Sequence, residues 1–189
     1  LTKDFVKMAN EADKVVAGVE LLMKVSGATK CIIALKVHKE EARDALKKAC
    51  EGHDNIVVQE VPDLYPMGWE KALVQEVIGK TYAKLPSEVG VIVNNVQTVL
   101  TLGQVLLTGH PVTDRLVTVS GDAVANPTNV SIKLGMMANE LIEACGGYVA
   151  EEVSLIPGGP MWSKSVYTGK FTMLLPMGSL TILKFKKVV

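Results

Sequence analysis

Before residue 110 the chain alternates short apolar runs with amphipathic ones, and this alternation constrains its fold more than any other feature. From Asp4 to Ser26, the residues Phe5, Ala9, Ala12, Val16, Val19 and Met23 keep the three-and-four spacing of one amphipathic helix, closed by Gly27. The run "CIIALK" follows as a strand. Then "KEEARDALKKAC" is a polar-faced helix ended by Gly52, and "NIVVQEV" is a second strand stopped by Pro62. The loop "PDLYPMG" leads into the helix "WEKALVQEVI", ended by Gly79; "VGVIV" is a third strand; and a further helix starts after Asn95. Strand and helix alternating over short connections predict an α/β domain, a parallel sheet flanked by helices with right-handed crossovers.

In such sheets ligands gather outside the carboxyl ends of the strands, where loops and helix N-termini converge. Two loops there are chemically loaded. After "NIVVQEV" comes "LYPMGWEK", carrying Tyr65, Gly68, Glu70 and Lys71; after "VGVIV" comes "NNVQT", carrying Asn94, Asn95 and Thr98. On one sheet edge these side chains suit a polar, planar, phosphorylated ligand: amides offer donors and acceptors to ring edges, and lysine offers charge to phosphate. A plainer reading stands beside this one. Asn is a favoured helix N-cap, although a cap accounts for one of the two asparagines, and Glu70 and Lys71 suit a solvated first helical turn.

Composition removes several classes. Lys plus Arg equals Asp plus Glu, 20 each, so no global field draws nucleic acid or anionic lipid. Hydrophobic residues at 48% and charged residues at 21% mark a globular chain. No apolar run approaches the roughly 18–20 residues of a membrane span, and no signal segment opens the chain, so it reads as soluble and cytosolic. Cys31, Cys50 and Cys145 are too far apart for a short-spaced metal motif and read as small core residues; His38, His53 and His110 lie in loops and read as solvated. The chain starts on Leu1 inside a helix, which reads as a piece of something longer.

Past His110 the pattern changes. "RLVTVSG", "NVSIKLG", the helix "ANELIEACGG" and a strand in "EEVSLIPGGPM" predict a small sheet of four strands gripping one helix. We therefore expect one domain over residues 1–112, a second over 113–165, and a tail of uncertain fold over 166–189. Met161 and Trp162 read as packing at a domain seam.

"LYPMGWEKALVQEVIG", "VGVIVNNVQTV", "DRLVTVSGDAV" and "IPGGPM" occur in the order seen in RnfC-like electron-transport proteins, and from about Asp4 to Trp162 the chain resembles that family. Its members are similar to the NADH-binding flavoprotein subunit of respiratory complex I. The resemblance implies that Gly68, Glu70, Lys71, Asn94, Asn95 and Thr98 help line an FMN site, and that the second domain is a soluble-ligand-binding β-grasp (SLBB) module. It implies passage of electrons between a nicotinamide (NADH) or ferredoxin donor and a partner redox protein, with other electron-transfer subunits or a terminal reductase as partners. The implied location is cytoplasmic, with peripheral attachment at the inner face of the cell membrane and no insertion into it. The family's glycine-rich loop and four-cysteine iron–sulfur run are absent here. FMN is therefore expected in the full-length protein and weakly or not at all on this piece, and [4Fe-4S] clusters only outside it. No catalytic acid, base or nucleophile is assigned, since the flavin would carry the chemistry. The alternative is a non-redox binding module whose β-grasp domain docks a partner protein or a cobalamin-like cofactor.

Overall fold

The computed structural model describes residues 2–159 and 163–185, so Met161 and Trp162 lie outside the described residues. The chain divides into two compact units, one over Asp4–His110 and one over Pro111 onward together with the first three residues.

The first unit holds α1 (Thr2–Asn10), α2 (Ala12–Ser26), β1 (Cys31–Lys36), α3 (Glu40–Ala49), β2 (Ile56–Val61), α4 (Glu70–Ile78) and α5 (Val96–Thr108). The single opening helix expected from the apolar spacing is two helices. Glu11 leaves helical geometry at φ −130°, ψ 33°. Its N–H still donates to the Lys7 carbonyl and its own carbonyl still accepts from Val15, so the axis kinks without losing hydrogen bonds. Strands β1 and β2 pair in parallel, Cys31 opposite Ile56 through Lys36 opposite Val61. The core gathers Val15, Val16 and Val19 of α2 with Ile33, Leu46, Ile56 and Val99.

The expected third strand does not form. Pro86–Val89 winds into a single 3-10 turn, and Gly90 closes it in the left-handed region at φ +74°. The first two residues of "VGVIV" are thus spent on a turn. Beyond it Val91, Ile92 and Val93 alternate between half-buried and exposed, the period of an extended chain, but pair with no strand among the described residues.

Helices α2 and α5 cross closely because Gly18 and Gly103 meet there. A Cβ on Gly18 would lie 2.8 Å from the Val99 carbonyl oxygen and 2.9 Å from its Cγ1, and one on Gly103 would lie 3.3 Å from the Gly18 Cα. Backbone fills the space a side chain would need.

The second unit is a four-stranded sheet in the order β4-β3-β6-β5, built from β3 (Asp114–Ser120), β4 (Thr128–Lys133), β5 (Val153–Pro157) and β6 (Ser179–Lys184). Strands β3 and β6 run parallel at its centre, and β4 and β5 flank them antiparallel. Helix α6 (Ala138–Ala144) presses Leu141 and Ile142 onto Val117, Val119, Leu155, Leu180 and Ile182. Within the stretch from residue 166 onward, expected as a tail of uncertain fold, Ser179–Lys184 forms a central strand. Leu180 and Ile182 are fully buried there and belong to the core of the sheet. Gly121 packs against this strand at φ +116°, where a Cβ would lie 1.8 Å from the Ile182 carbonyl oxygen.

Alanine at position 18 gains helix propensity of up to about 1 kcal/mol, whereas overpacking a closed contact costs about 1–3 kcal/mol. Gly18→Ala is therefore expected to lower the denaturation midpoint in urea, and Gly103→Ala to do so less. A Gly18→Ala variant as stable as the parent would show that the helices separate freely.

Candidate functional site

The loop after β2 and the segment before α5 were the sequence's two candidate ligand-bearing stretches. Most of their polar residues have a local task of their own.

Glu70 and Lys71 open α4, and both reach the connector that follows this helix. The Tyr82 hydroxyl donates to Glu70 Oε1 at 2.8 Å, and Lys71 Nζ donates to the Ala83 carbonyl at 2.7 Å while lying 5.4 Å from the centre of the Tyr82 ring. Partial burial, together with the Glu70 carboxylate it donates to, pushes the Tyr82 phenol up to about 12. Beside them, Glu88 accepts three backbone N–H groups, from Ala83 at 3.1 Å and from Lys84 and Leu85 at 2.9 Å each. These amides hold its carboxyl below the usual glutamate range, with a smaller contribution from Lys71. Together these four side chains fasten residues 82–88 to the start of α4. The Leu85-Pro86-Ser87-Glu88 spacing carries half of a capping box: the glutamate reaches back to the Leu85 amide, but leucine has no acceptor to return the bond. Tyr82 and Glu88 escaped the sequence reading. Proline followed two residues later by glutamate was the available signal, hidden by assigning the next residues to a strand.

The two asparagines separate. Asn95 is the N-cap of α5, extended at ψ 145°, and its Oδ1 accepts the Gln97 N–H at 2.9 Å. Asn94 instead lines a cleft of about 660 Å³ in the first unit, between β1 and the Val91–Val93 segment. The walls are mostly apolar, with Ile33 from β1, Leu73 and Val77 from α4, and Val91 and Val93 opposite. Of the six expected site residues only Asn94 lines it. Gly68 and Thr98 lie outside this lining, and nothing lies within 4 Å of a Cβ built on Gly68. The structure brings Glu70 and Lys71 together with Tyr82, while Asn94 and Asn95 serve different neighbours. Cys31 also lines the cleft; burial pushes its thiol up, and Cys50 nearby adds to the shift, so it stays protonated at neutral pH.

A planar ring system fits this setting in part. The cleft has the volume and apolar walls of a small-molecule pocket, with one amide on its lining to meet a polar ring edge. For a phosphate, Lys30 lies on the cleft lining, whereas Lys71 is committed to the Ala83 carbonyl and Glu70 places negative charge in the first turn of α4. Among the described residues no group of three or more His, Cys, Asp or Glu could hold a metal ion, and no helix is long and apolar enough to cross a membrane.

Comparison with known proteins agrees with this architecture. The family model for the Nuo51 FMN-binding domain matches residues 1–104, and that for the SLBB domain matches residues 116–163. The chain is 37% identical over 163 residues to a subunit of the proton-translocating ferredoxin:NAD(+) oxidoreductase complex of Clostridium ljungdahlii, covering 85% of this chain and 35% of that one. It is 39% identical over 156 residues to cobalamin reductase PduS of Salmonella typhimurium, covering 82% and 34%. Among solved structures an NAD+-reducing [NiFe]-hydrogenase superposes with a TM-score of 0.72 at 18% identity, over 97% of this chain and 38% of the other, a likeness of fold. The chain thus spans about a third of the length of these curated relatives.

Below the ordinary glutamate value of 4.5 the unfolded chain takes up a proton, while folded Glu88 resists it until its lower value is reached. Its contribution is therefore complete above that ordinary value and is lost as pH falls through the folded one. Hydrogen exchange resolved to single amides should show Ala83, Lys84 and Leu85 losing protection over that acid window, and Glu88→Gln should weaken it already at neutral pH. Unchanged protection in both cases would show that the carboxylate does not hold the connector.

Proposed function

The chain belongs to the Nuo51 FMN-binding domain family, followed by an SLBB domain, and from this we propose that it forms the flavin-binding core of an electron-transfer subunit. The observation that carries this reading is the place of Asn94, one residue before a helix cap, on the wall of an apolar cleft of ring-system size. Bound FMN would supply hydride and single-electron chemistry. This chain's own residues would bind and orient it. Asn94 would meet a polar edge of the ring, Val91 and Val93 would exclude water from one side, and Gly68 would leave open space beside the loop after β2. Thr98, in the first turn of α5, is the remaining hydroxyl of the expected set. Glu70 and Lys71 act one step back, by holding the connector whose end sets the position of Asn94.

The names of the relatives indicate the wider setting. By their names, one is a subunit of a ferredoxin:NAD(+) oxidoreductase complex and the other a cobalamin reductase, both redox proteins. We accordingly place this chain between a nicotinamide or ferredoxin donor and a partner protein, in the cytoplasm, within a larger assembly. The [4Fe-4S] centres belong to polypeptide outside it. Cys31 and Cys50 lie in the first unit and Cys145 in the second, each with its thiol pushed up by burial, which disfavours the thiolates that ligate iron.

Substituting the two asparagines in the longer protein tests this reading. Asn95→Ala removes a cap and should cost about 1 kcal/mol of stability with little change in FMN affinity. Asn94→Ala should leave stability nearly unchanged and weaken FMN binding by roughly tenfold, the loss of one hydrogen bond worth about 1–1.5 kcal/mol. Thermal unfolding and quenching of FMN fluorescence read the two effects. If neither substitution moves flavin affinity, both amides are structural and the proposed site is wrong.

A further inference from the structure

Helix α3 and strand β1 each end a core-facing row of side chains on a cysteine. Along α3 the fully buried residues are Ala42 and Leu46, and Ala49 and Cys50 continue that row by the three-and-four spacing of a helix. Helical geometry holds to the last of them, since the Cys50 N–H donates to the Leu46 carbonyl at 2.9 Å. Along β1 successive side chains alternate, so Cys31 shares its face with Ile33. Ile33, Leu46 and Ile56 belong to one core, and Cys31, Ala49 and Cys50 all pack against it. The backbone brings the two cysteines to the same end of the unit. The Cys50 carbonyl accepts the His53 N–H at 3.0 Å, and the His53 carbonyl accepts the Ile56 N–H at 3.0 Å. Ile56 stands opposite Cys31, whose own N–H donates to the Asn55 carbonyl at 2.9 Å. Both thiols are free and half-buried. Burial pushes each of them up, and charge on Cys50 pushes Cys31 further, so the two sulfurs lie within reach of one another's field.

We propose that Cys31 and Cys50 form a dithiol–disulfide pair, a two-electron redox site at the contact of α3 with β1, with small disulfides of the glutathione class as its exchange partners. One cysteine, as thiolate, attacks the small disulfide, forms a mixed disulfide and releases one glutathione. The other, as thiolate, then attacks the protein sulfur of that mixed disulfide, and the second glutathione leaves. The protein gives up two electrons and two protons, and the small disulfide becomes two thiols. Because burial keeps both protein thiols protonated at neutral pH, closure is slow there and answers sustained oxidation. Disulfides of reducing compartments are of this transient, redox-sensing kind. The closed bond ties the C-terminal end of α3 to the first residue of β1, so oxidation stiffens the crossover that leads into β2. Cys145 lies in the second unit and takes no part. The inference rests on the two thiols and holds whether or not flavin binds.

Peptide mapping tests it directly. Cleavage after Lys30, Lys36, Lys48 and Lys71 places Cys31 in peptide 31–36 and Cys50 in peptide 49–71. The longer protein is equilibrated with oxidised glutathione, its remaining thiols are blocked in acid, and it is digested with trypsin without reductant. Peptides 31–36 and 49–71 should be recovered joined by one disulfide and should separate on adding dithiothreitol. The rate of joining should rise about tenfold per pH unit around neutrality, as the thiolate fraction does. In Cys31→Ala, Cys50 should instead retain one glutathione, because no second thiol is there to displace it. Recovery of both cysteines of the parent protein as separate glutathione adducts, or as blocked free thiols, would overturn the proposal and leave them as small core residues. Cys50 joined to Cys145 would overturn it as well.

Discussion

The edge of β1 turned away from β2, unpaired among the described residues, is the constraint on which the rest of the first unit depends. A strand presents backbone donors and acceptors on both sides, and burying one side without partners costs more than most side-chain contacts return. Here β2 satisfies the odd-numbered residues of β1, while the even-numbered ones open onto an apolar cleft. The cleft lies along that edge, and across it Val91–Val93 pairs with no strand among the described residues. The second unit shows the contrast. There β6 fills the position between β3 and β5, and Leu155, Leu180 and Ile182 lose all contact with solvent.

The polar residues of this region divide into those that hold the chain and those that line the cleft, Asn94 with Ser26, Lys30 and Ser87. Glu88 gathers three backbone amides, Glu70 holds Tyr82, and Lys71 holds the Ala83 carbonyl, so the connector into Val91 is anchored from one end. Asn95 fixes the other end by capping α5. Between these anchors only a few residues remain, and Asn94 is the polar side chain among them. A short segment held at both ends is a suitable mount for a ligand-reading amide, because little conformational entropy is left to lose on binding.

Much of the fold was legible because local signals agreed with tertiary ones. The strands "CIIALK" and "NIVVQEV" and the helices after Gly68 and Asn95 form where period and caps place them. Sequence reasoning failed where a decision depended on a neighbour. "VGVIV" has the composition of a buried strand, but Gly90 takes a left-handed turn and the remainder finds no partner to pair with among the described residues. The fold of the residues after 165 stayed open in the sequence because β6 pairs with strands far away in sequence, which no local window reveals. The Asn94-Asn95 pair was readable as a cap plus something more, and Asn95 took the cap. Glu70 and Lys71 could not be assigned from their types, since their partners Tyr82 and Ala83 follow 12 residues later across a connector whose path the sequence does not encode locally.

The central claim is that this chain supplies one wall of a flavin site, with Asn94 on it, and that further contacts to the cofactor come from the rest of the longer protein. Titration of FMN into residues 1–189 and into the longer protein tests it most directly. Two hydrogen bonds to a charged group, supplied by the glycine-rich loop that the family resemblance implies in the longer protein, are worth about 3–6 kcal/mol together, so the shorter chain should bind FMN at least about two decades more weakly. Equal dissociation constants for the two would contradict the account, because the site would then be complete within these 189 residues.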